Sequence, residues 1–375
     1  MEDSFRRPVE TVEIRGYKSI RELDQFDLRR LNLLVGANGA GKSNFIGFFR
    51  LLAALAREEL KRTIALAGGA ERVLFLGRER VDAIRATVTF GDRGYQISLV
   101  PTQESGLLVE LDGFLLAQEL GPSGTVTRYE RESQLKRRFE AAEARSFHDP
   151  YDKHLNIVYR SLRSWVVYHF HDTSDGAPVK TRGDVVDGEV LREEGDNLAA
   201  FLYAMQHRSP AHYKKIVDTV RLVAPFFDRF HLEPLADNPN QTQLRWYQRG
   251  SDRIFHAGQL SDGTLRFICL ATVLLQPDPP ATILLDEPEL GLHPYALQLL
   301  GGMLVSTSHR TQLIVSTQSA ALLNDVEPED VIVVERGEDE ASTFRRLKRN
   351  DLAVWLAEYT LGELWQKNVL GGRPR

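Results

Sequence analysis

Cysteine is almost missing from this chain of 375 residues: there is one, Cys269. That excludes an intrachain disulfide and a Cys-rich zinc site. Cys269 lies in the apolar run 267–275, where a buried inert thiol is expected rather than a nucleophile. An excess of positive charge is missing too, since 47 Lys and Arg stand against 52 Asp and Glu, a net charge of −5. Bulk attraction to nucleic acid or to a membrane surface is thereby excluded, and any contact with DNA must use local patches. No apolar run approaches the roughly 18 residues of a membrane span. The opening MEDSFRRPVE has no apolar signal-peptide core. A cytoplasmic protein with no membrane partner is the expectation. No internal repeat is evident. The remainder, 42% apolar and 26% charged, is the composition of a soluble globular protein with length for two average domains or one large one.

What is present is concentrated in one stretch, LNLLVGANGAGKS at 31–43. Leu31–Val35 is an apolar run with one Asn and reads as a buried strand. Gly36, Gly41, Lys42 and Ser43 then fit the phosphate-loop spacing G-x-x-x-x-G-K-[ST]. Glycines let the backbone curl so that successive N–H groups face inward as an anion nest. The helix that follows adds its positive N-terminal end. Lys42 is placed to reach the β- and γ-phosphates, and the Ser43 hydroxyl to ligate Mg²⁺. The nucleotide-binding candidates are Gly36, Ala37, Asn38, Gly39, Ala40, Gly41, Lys42, Ser43 and Asn44.

Around this loop the chain reads as follows. A short strand is expected at 12–14, and an apolar helix from Lys42 through Leu55, with the helical stretch ending at Gly68-Gly69. An extended segment is expected at 73–76, a hairpin at 86–90 and 95–100, and more strand at 107–111, with turns at Gly113 and 121–124. From 130 to about 162 the sequence is charged and helix-permissive, with a break at Pro150, and reads as a helical insertion projecting from the core. A strand at 165–170 ends in His169, His171 and Asp172. Helices are expected at 197–205 and 211–223, and strands at 230–235 and 243–247. A helix at 265–275 and strands at 281–285 and 312–316 follow, then a hairpin at 331–335 and 343–347 and a largely helical tail at 351–365. The domain boundaries that this suggests are 1–125, 126–225 and 226–375.

The strand at 281–285 ends in Asp286-Glu287, the Walker B pattern. A hard cation such as Mg²⁺ needs oxygen ligands and usually keeps waters. Asp286 would hold it, directly or through such a water. Glu287 points elsewhere and is the candidate to polarise the attacking water. Leu260–Thr264, LSDGT, sets a Ser and small residues before an apolar helix, which suits either an anion site or a simple helix cap.

In this order, 36–43, 260–264, 286–287 and 317–319 resemble the ATP-binding-cassette ATPases. IRGYKSI…LNLLVGANGAGKSNFI and DEPELGLHP are similar to the branch containing SMC, RecF and the OLD-family nucleases. YHFHDTS, GDNLAAFLY and YTLGELWQKNVLGGRP resemble a stand-alone group of bacterial ATPases within it, so the resemblance covers nearly the whole chain. It implies an α/β P-loop NTPase fold, an ABC-ATPase head with a mixed sheet, an antiparallel β subdomain, and a helical lobe bearing the insertion and the signature. It also implies that Ser261, Asp262 and Gly263 form a signature motif, departing from LSGGQ at Asp262 and Thr264, that binds the γ-phosphate held by a second copy.

Gln318 takes the place of the switch histidine, where it can hydrogen-bond to phosphate but cannot take a proton as an imidazole can. Glu287, Lys42 and Gln318 are thus the catalytic candidates, with Ser43 and Asp286 for the metal. His293 falls in the segment that crosses the dimer interface in relatives, and an ordinary turn histidine explains it equally. His169, His171 and Asp172 suit a γ-phosphate or metal contact, or a plain polar strand exit. The cofactors implied are ATP and Mg²⁺, and the partners an ATP-dependent homodimer with DNA or a separate effector. The insertion is too short for the SMC coiled coil, no CxxC can form a zinc hook, and little chain remains after 331 for a fused nuclease. The basic clusters at 136–138 and 345–349 suit phosphate contacts or solvated faces. Three roles follow by analogy: a DNA-repair or maintenance ATPase, a scaffold controlling a toxin or nuclease in phage defence, and a transporter ATPase subunit, which DEPELGLHP and the insertion disfavour.

Overall fold

The computed structural model describes residues 6–116, 135–144 and 150–372. The turn expected at 121–124 and parts of the insertion, 130–134 and 145–149, lie outside them.

The phosphate-loop strand sits inside a six-stranded mixed sheet. Its order is Ser342–Arg346, Val331–Arg336, Leu31–Val35, Gln312–Thr317, Thr282–Asp286, Val166–Tyr168. All neighbours are parallel except the first pair, which is an antiparallel hairpin. Strands this apolar need cover on both faces, and the alternation of side chains supplies two separate cores. Leu31, Leu33, Val35, Ile283, Leu285, Leu313, Val315, Val331 and Val333 enter one hydrophobic cluster. Leu34, Leu284, Ile314, Ile332 and Val334 enter the other. The polar residue of Leu31–Val35, Asn32, is fully buried and bonded: Nδ2 donates to Arg29 O (2.7 Å) and Leu313 O (3.2 Å), and Oδ1 accepts from Arg346 Nη2 (2.8 Å).

The first core packs helices Leu198–Arg208, Pro210–Val223, Asp262–Leu275 and Pro294–Ser308 on the sheet, with a small antiparallel sheet of Phe227–His231, Arg245–Gln248 and Ile254–His256 beside them. Leu361, Leu364 and Trp365 from the C-terminal helix Leu361–Gln366 close it. The second core holds the phosphate-loop helix Lys42–Ala56, buried through Phe45, Ile46, Phe48, Phe49, Leu51 and Leu52. A five-stranded antiparallel sheet covers it, in the order Ile20–Asp27, Thr11–Tyr17, Ile84–Thr89, Arg93–Pro101, Leu107–Leu116.

The insertion differs from the expectation. Helices Leu135–Ala144 and Pro150–Ser164 do not project. Leu135, Phe139, Ala142, Leu155, Val158, Tyr159 and Leu162 are buried in the second core, and the Phe139 and Tyr159 rings stack at 4.3 Å. The charges occupy the outer face only; the apolar residues recur at helical spacing beneath them. This pair and the signature helix Asp262–Leu275 therefore belong to opposite sides of the central sheet, not to one lobe. The helical stretch after the phosphate loop breaks at Glu58, where φ is +63°, and resumes as Leu60–Leu66. The segment expected to be extended at 73–76 ends the helix Ala70–Val73, and only Leu74 pairs, in a single bridge to Tyr17.

Candidate functional site

Three parallel strands end side by side at the site, so that residues far apart in sequence meet at their C-terminal edges, where open α/β sheets bind ligands. Leu31–Val35 leads into the phosphate loop. Gly41 caps the following helix with φ +114°, a conformation that favours glycine. A Cβ there would also stand 2.1 Å from Ser342 Oγ and 2.7 Å from Ser19 Oγ. Those hydroxyls brace the loop from beneath: Ser342 Oγ donates to Ala40 O (2.6 Å) and Ser19 Oγ accepts from Asn44 Nδ2 (2.7 Å). The Asn44 side chain thus turns into this brace. Gly41→Ala is expected to destabilise the fold by about 1–3 kcal/mol through strain alone and to weaken nucleotide binding. An unchanged denaturation midpoint would contradict this.

Lys42 is buried, and Nζ donates to Gly36 O (2.8 Å) and Ala37 O (3.0 Å). Burial holds its pKa below the usual lysine range, while Glu287, Asp286 and Glu289 pull it back up. Asp286 Oδ1 accepts from Ser43 Oγ (3.0 Å) and from Ser316 Oγ. Glu287 adopts φ +46°, left-handed and strained for a residue with a side chain. Its N–H donates to Ser316 O (3.1 Å), and its Oε1 accepts from Gln318 Nε2 (2.6 Å). Lys42, Ser43, Asp286, Glu287 and Gln318 thus lie about one cluster of hydrogen bonds and charges. A cleft of about 620 Å³ opens beside it, lined by Ser43, Asp286, His169, Lys18 and Arg50.

The histidines part ways. His171 Nε2 lies 3.0 Å from Asp286 O, and because a carbonyl only accepts, this nitrogen carries the proton. His169 faces the cleft with its ring 4.0 Å from that of His171, and burial, then the neighbouring imidazole, lower its pKa. Asp172 accepts from Ser174 N (2.9 Å) in an exposed turn and does not join the metal candidates. His293 caps the helix Pro294–Ser308, accepting from Tyr295 N through Nδ1 (3.3 Å). Ser261 is the N-cap of the signature helix, with Oγ accepting from Thr264 N (3.2 Å); Ser261 and Asp262 are exposed and Gly263 half-buried. The helix cap read as one alternative is therefore present, at an open helix start. Cys269 is buried, with its thiol pushed up to about 12.

Sequence reasoning missed Ser19, Ser316 and Ser342, and gave no role to Glu289 or Arg266. Arg266, one turn into the signature helix, donates to Phe170 O (2.9 Å), His171 O (2.9 Å) and Leu290 O (2.7 Å). The basic clusters are largely engaged within the fold. Lys136 pairs with Glu58 (2.9 Å), Arg345 bonds Leu370 O (2.7 Å), Arg346 bonds Glu329 O and Asp27 O, and Arg349 pairs with Glu327. Among the described residues, no group of three or more His, Cys, Asp or Glu is placed to hold a metal, and no helix is long and apolar enough to cross a membrane. The hard-oxygen pair Ser43 and Asp286 does fit Mg²⁺, which is commonly held by one or two protein oxygens with phosphate and water.

A phosphate loop and a carboxylate-ended strand, on neighbouring parallel strands of the mixed sheet, define a P-loop NTPase head, a class that generally binds ATP with Mg²⁺. The chain belongs to the family described as "AAA domain, putative AbiEii toxin, Type IV TA system", whose pattern matches residues 31–324. Among solved structures it is similar to an Smc head bound to the C-terminal winged-helix domain of ScpA, at TM-score 0.59 and 14% identity over 92% of this chain and 99% of that one. It is also similar to a Pyrococcus furiosus Smc head with an extended coiled coil, bound to the C-terminal domain of ScpA (TM-score 0.55, 14% identity, 94% and 99% covered). A Pyrococcus yayanosii Smc head with a coiled coil and joint gives TM-score 0.53 at 14% identity, with 94% and 99% covered. At that identity the likeness shows the fold. No curated protein matches the sequence.

Proposed function

We propose that the chain hydrolyses ATP to ADP and phosphate at a site completed by a second copy of itself. The observation that carries this is the Glu287 carboxylate, held by Gln318 at 2.6 Å one residue beyond the Asp286–Ser43 contact. Lys42 Nζ would leave the loop carbonyls for the β- and γ-phosphate oxygens. Ser43 and Asp286 would hold Mg²⁺, which supplies positive charge against the phosphate oxygens. Glu287 takes a proton from water as the water oxygen bonds to the γ-phosphorus, and the bond from phosphorus to the ADP oxygen breaks. Gln318 holds Glu287 in line. The helix start at Ser261–Gly263, exposed at Ser261 and Asp262, suits the γ-phosphate bound by a second copy.

The resemblance of the motifs to the branch containing RecF supports a DNA-maintenance role by analogy. The family's description favours the other reading, in which ATP state holds or releases an effector protein of toxin or nuclease type. Sedimentation with and without ATP, together with hydrolysis rates with and without duplex DNA, tests both levels. The wild-type chain is expected to dimerise with ATP, and Ser261→Arg to bind ATP yet stay monomeric. A wild-type monomer at saturating ATP counts against the shared site. Salt-sensitive stimulation by DNA selects the maintenance role.

A further inference from the structure

Glu289 carries none of the roles above, yet its environment is unusual for a carboxylate in a turn. One oxygen, Oε1, accepts from Thr317 Oγ1 (2.7 Å) and from the Gln318 backbone N–H (2.6 Å). The other, Oε2, is buried with no hydrogen-bond partner among the described residues, and burial pushes the carboxyl above the usual carboxylate range. A turn that needed only an acceptor could use Asn, Ser or Thr without that desolvation. The bonds also close a ring. Gln318 gives its backbone N–H to Glu289 and its side-chain Nε2 to Glu287, and residues 287–289 complete the circuit through the chain. Glu287 sits in that ring at φ +46°, a conformation that the surroundings must impose.

We propose that Glu289 is a positioning residue for hydrolysis: it clamps the Gln318 backbone and thereby fixes the Gln318 side chain against the Glu287 carboxylate. This rests on Glu287 as the proton acceptor. It assigns to Glu289 an effect on turnover that exceeds its effect on ATP binding, because its influence on Lys42 is the weakest of the three nearby carboxylates and, among the described residues, its side chain makes no hydrogen bond to the phosphate loop.

The test uses the full chain with steady-state hydrolysis, ATP affinity, and hydrogen exchange of the 313–319 segment. Glu289→Ala is expected to lower kcat about tenfold or more while ATP affinity stays within about twofold, as a misplaced catalytic group does. Glu289→Gln keeps an acceptor at Oε1 and is expected to restore most of the rate. The double variant of Glu289→Ala with Gln318→Ala should be no slower than the slower single variant, since both act through one contact. An unchanged kcat in Glu289→Ala, or effects that multiply in the double variant, would overturn the proposal. If Glu289→Ala does not fold, Thr317→Val, which removes one donor to the same oxygen, is read by the same criterion. The exchange arm does not depend on turnover. Faster exchange in Glu289→Ala, reversed in Glu289→Gln, upholds the clamp even if the role of Glu287 fails, and unchanged exchange rejects it.

Discussion

Glu287→Gln is expected to cut ATP turnover by about a hundredfold to ten-thousandfold, the range for losing a general base. ATP affinity should hardly change. The amide is isosteric and keeps an oxygen to accept from Gln318 Nε2, now 2.6 Å from Glu287 Oε1. The turn at φ +46° also keeps its bond to Ser316 O at 3.1 Å. What is lost is the capacity to take a proton, so the variant separates chemistry from geometry. With hydrolysis blocked, the ATP-bound state should accumulate, and sedimentation with ATP should show dimers that persist longer than those of the wild type. Turnover at the wild-type rate would remove Glu287 from the mechanism.

Lys42→Ala should abolish measurable ATP binding. Truncating one partner of a buried charge-assisted contact typically costs about 2–5 kcal/mol, a loss of about thirtyfold to several thousandfold in affinity. The upper part of that range applies here, because Lys42 is 4% exposed and, among the described residues, no other lysine or arginine donates to Gly36 O or Ala37 O in the loop. Fold stability should fall far less, since the helix behind Lys42 is anchored by Phe45, Phe48 and Phe49. Isothermal titration with ATP measures the first effect and urea denaturation the second. Wild-type affinity would overturn the phosphate-loop assignment.

The loop and the strand ending in Asp286-Glu287 were legible because each is a contiguous pattern whose residue types follow from anion and cation chemistry. The central sheet followed from apolar runs at 31–35, 312–316 and 281–285. Its supports were not legible. Ser342 lies 323 residues from Ser19, and their hydroxyls meet at 2.7 Å only because the hairpin beside Leu31–Val35 carries Ser342 under the loop. A lone serine in a strand has no periodicity to mark it. Glu289 stood inside a quoted motif, but its role depends on Thr317 and Gln318 arriving from another strand. The insertion misled for a different reason. Mean charge hides a narrow apolar stripe, and Leu135, Phe139 and Ala142 are enough to bury a helix whose other positions are mostly polar.

Gly263 and Arg266 join two segments into one inherited unit. A Cβ at 263 would stand 2.4 Å from Gly291 O, and Arg266 holds Leu290 O from the same helix. The start of the signature helix and the turn beyond Glu287 are therefore matched surfaces, like two halves of a mould. Drift in one is constrained by the shape of the other. A chimera assembled from related proteins would have to take residues 260–266 and 288–292 from the same parent.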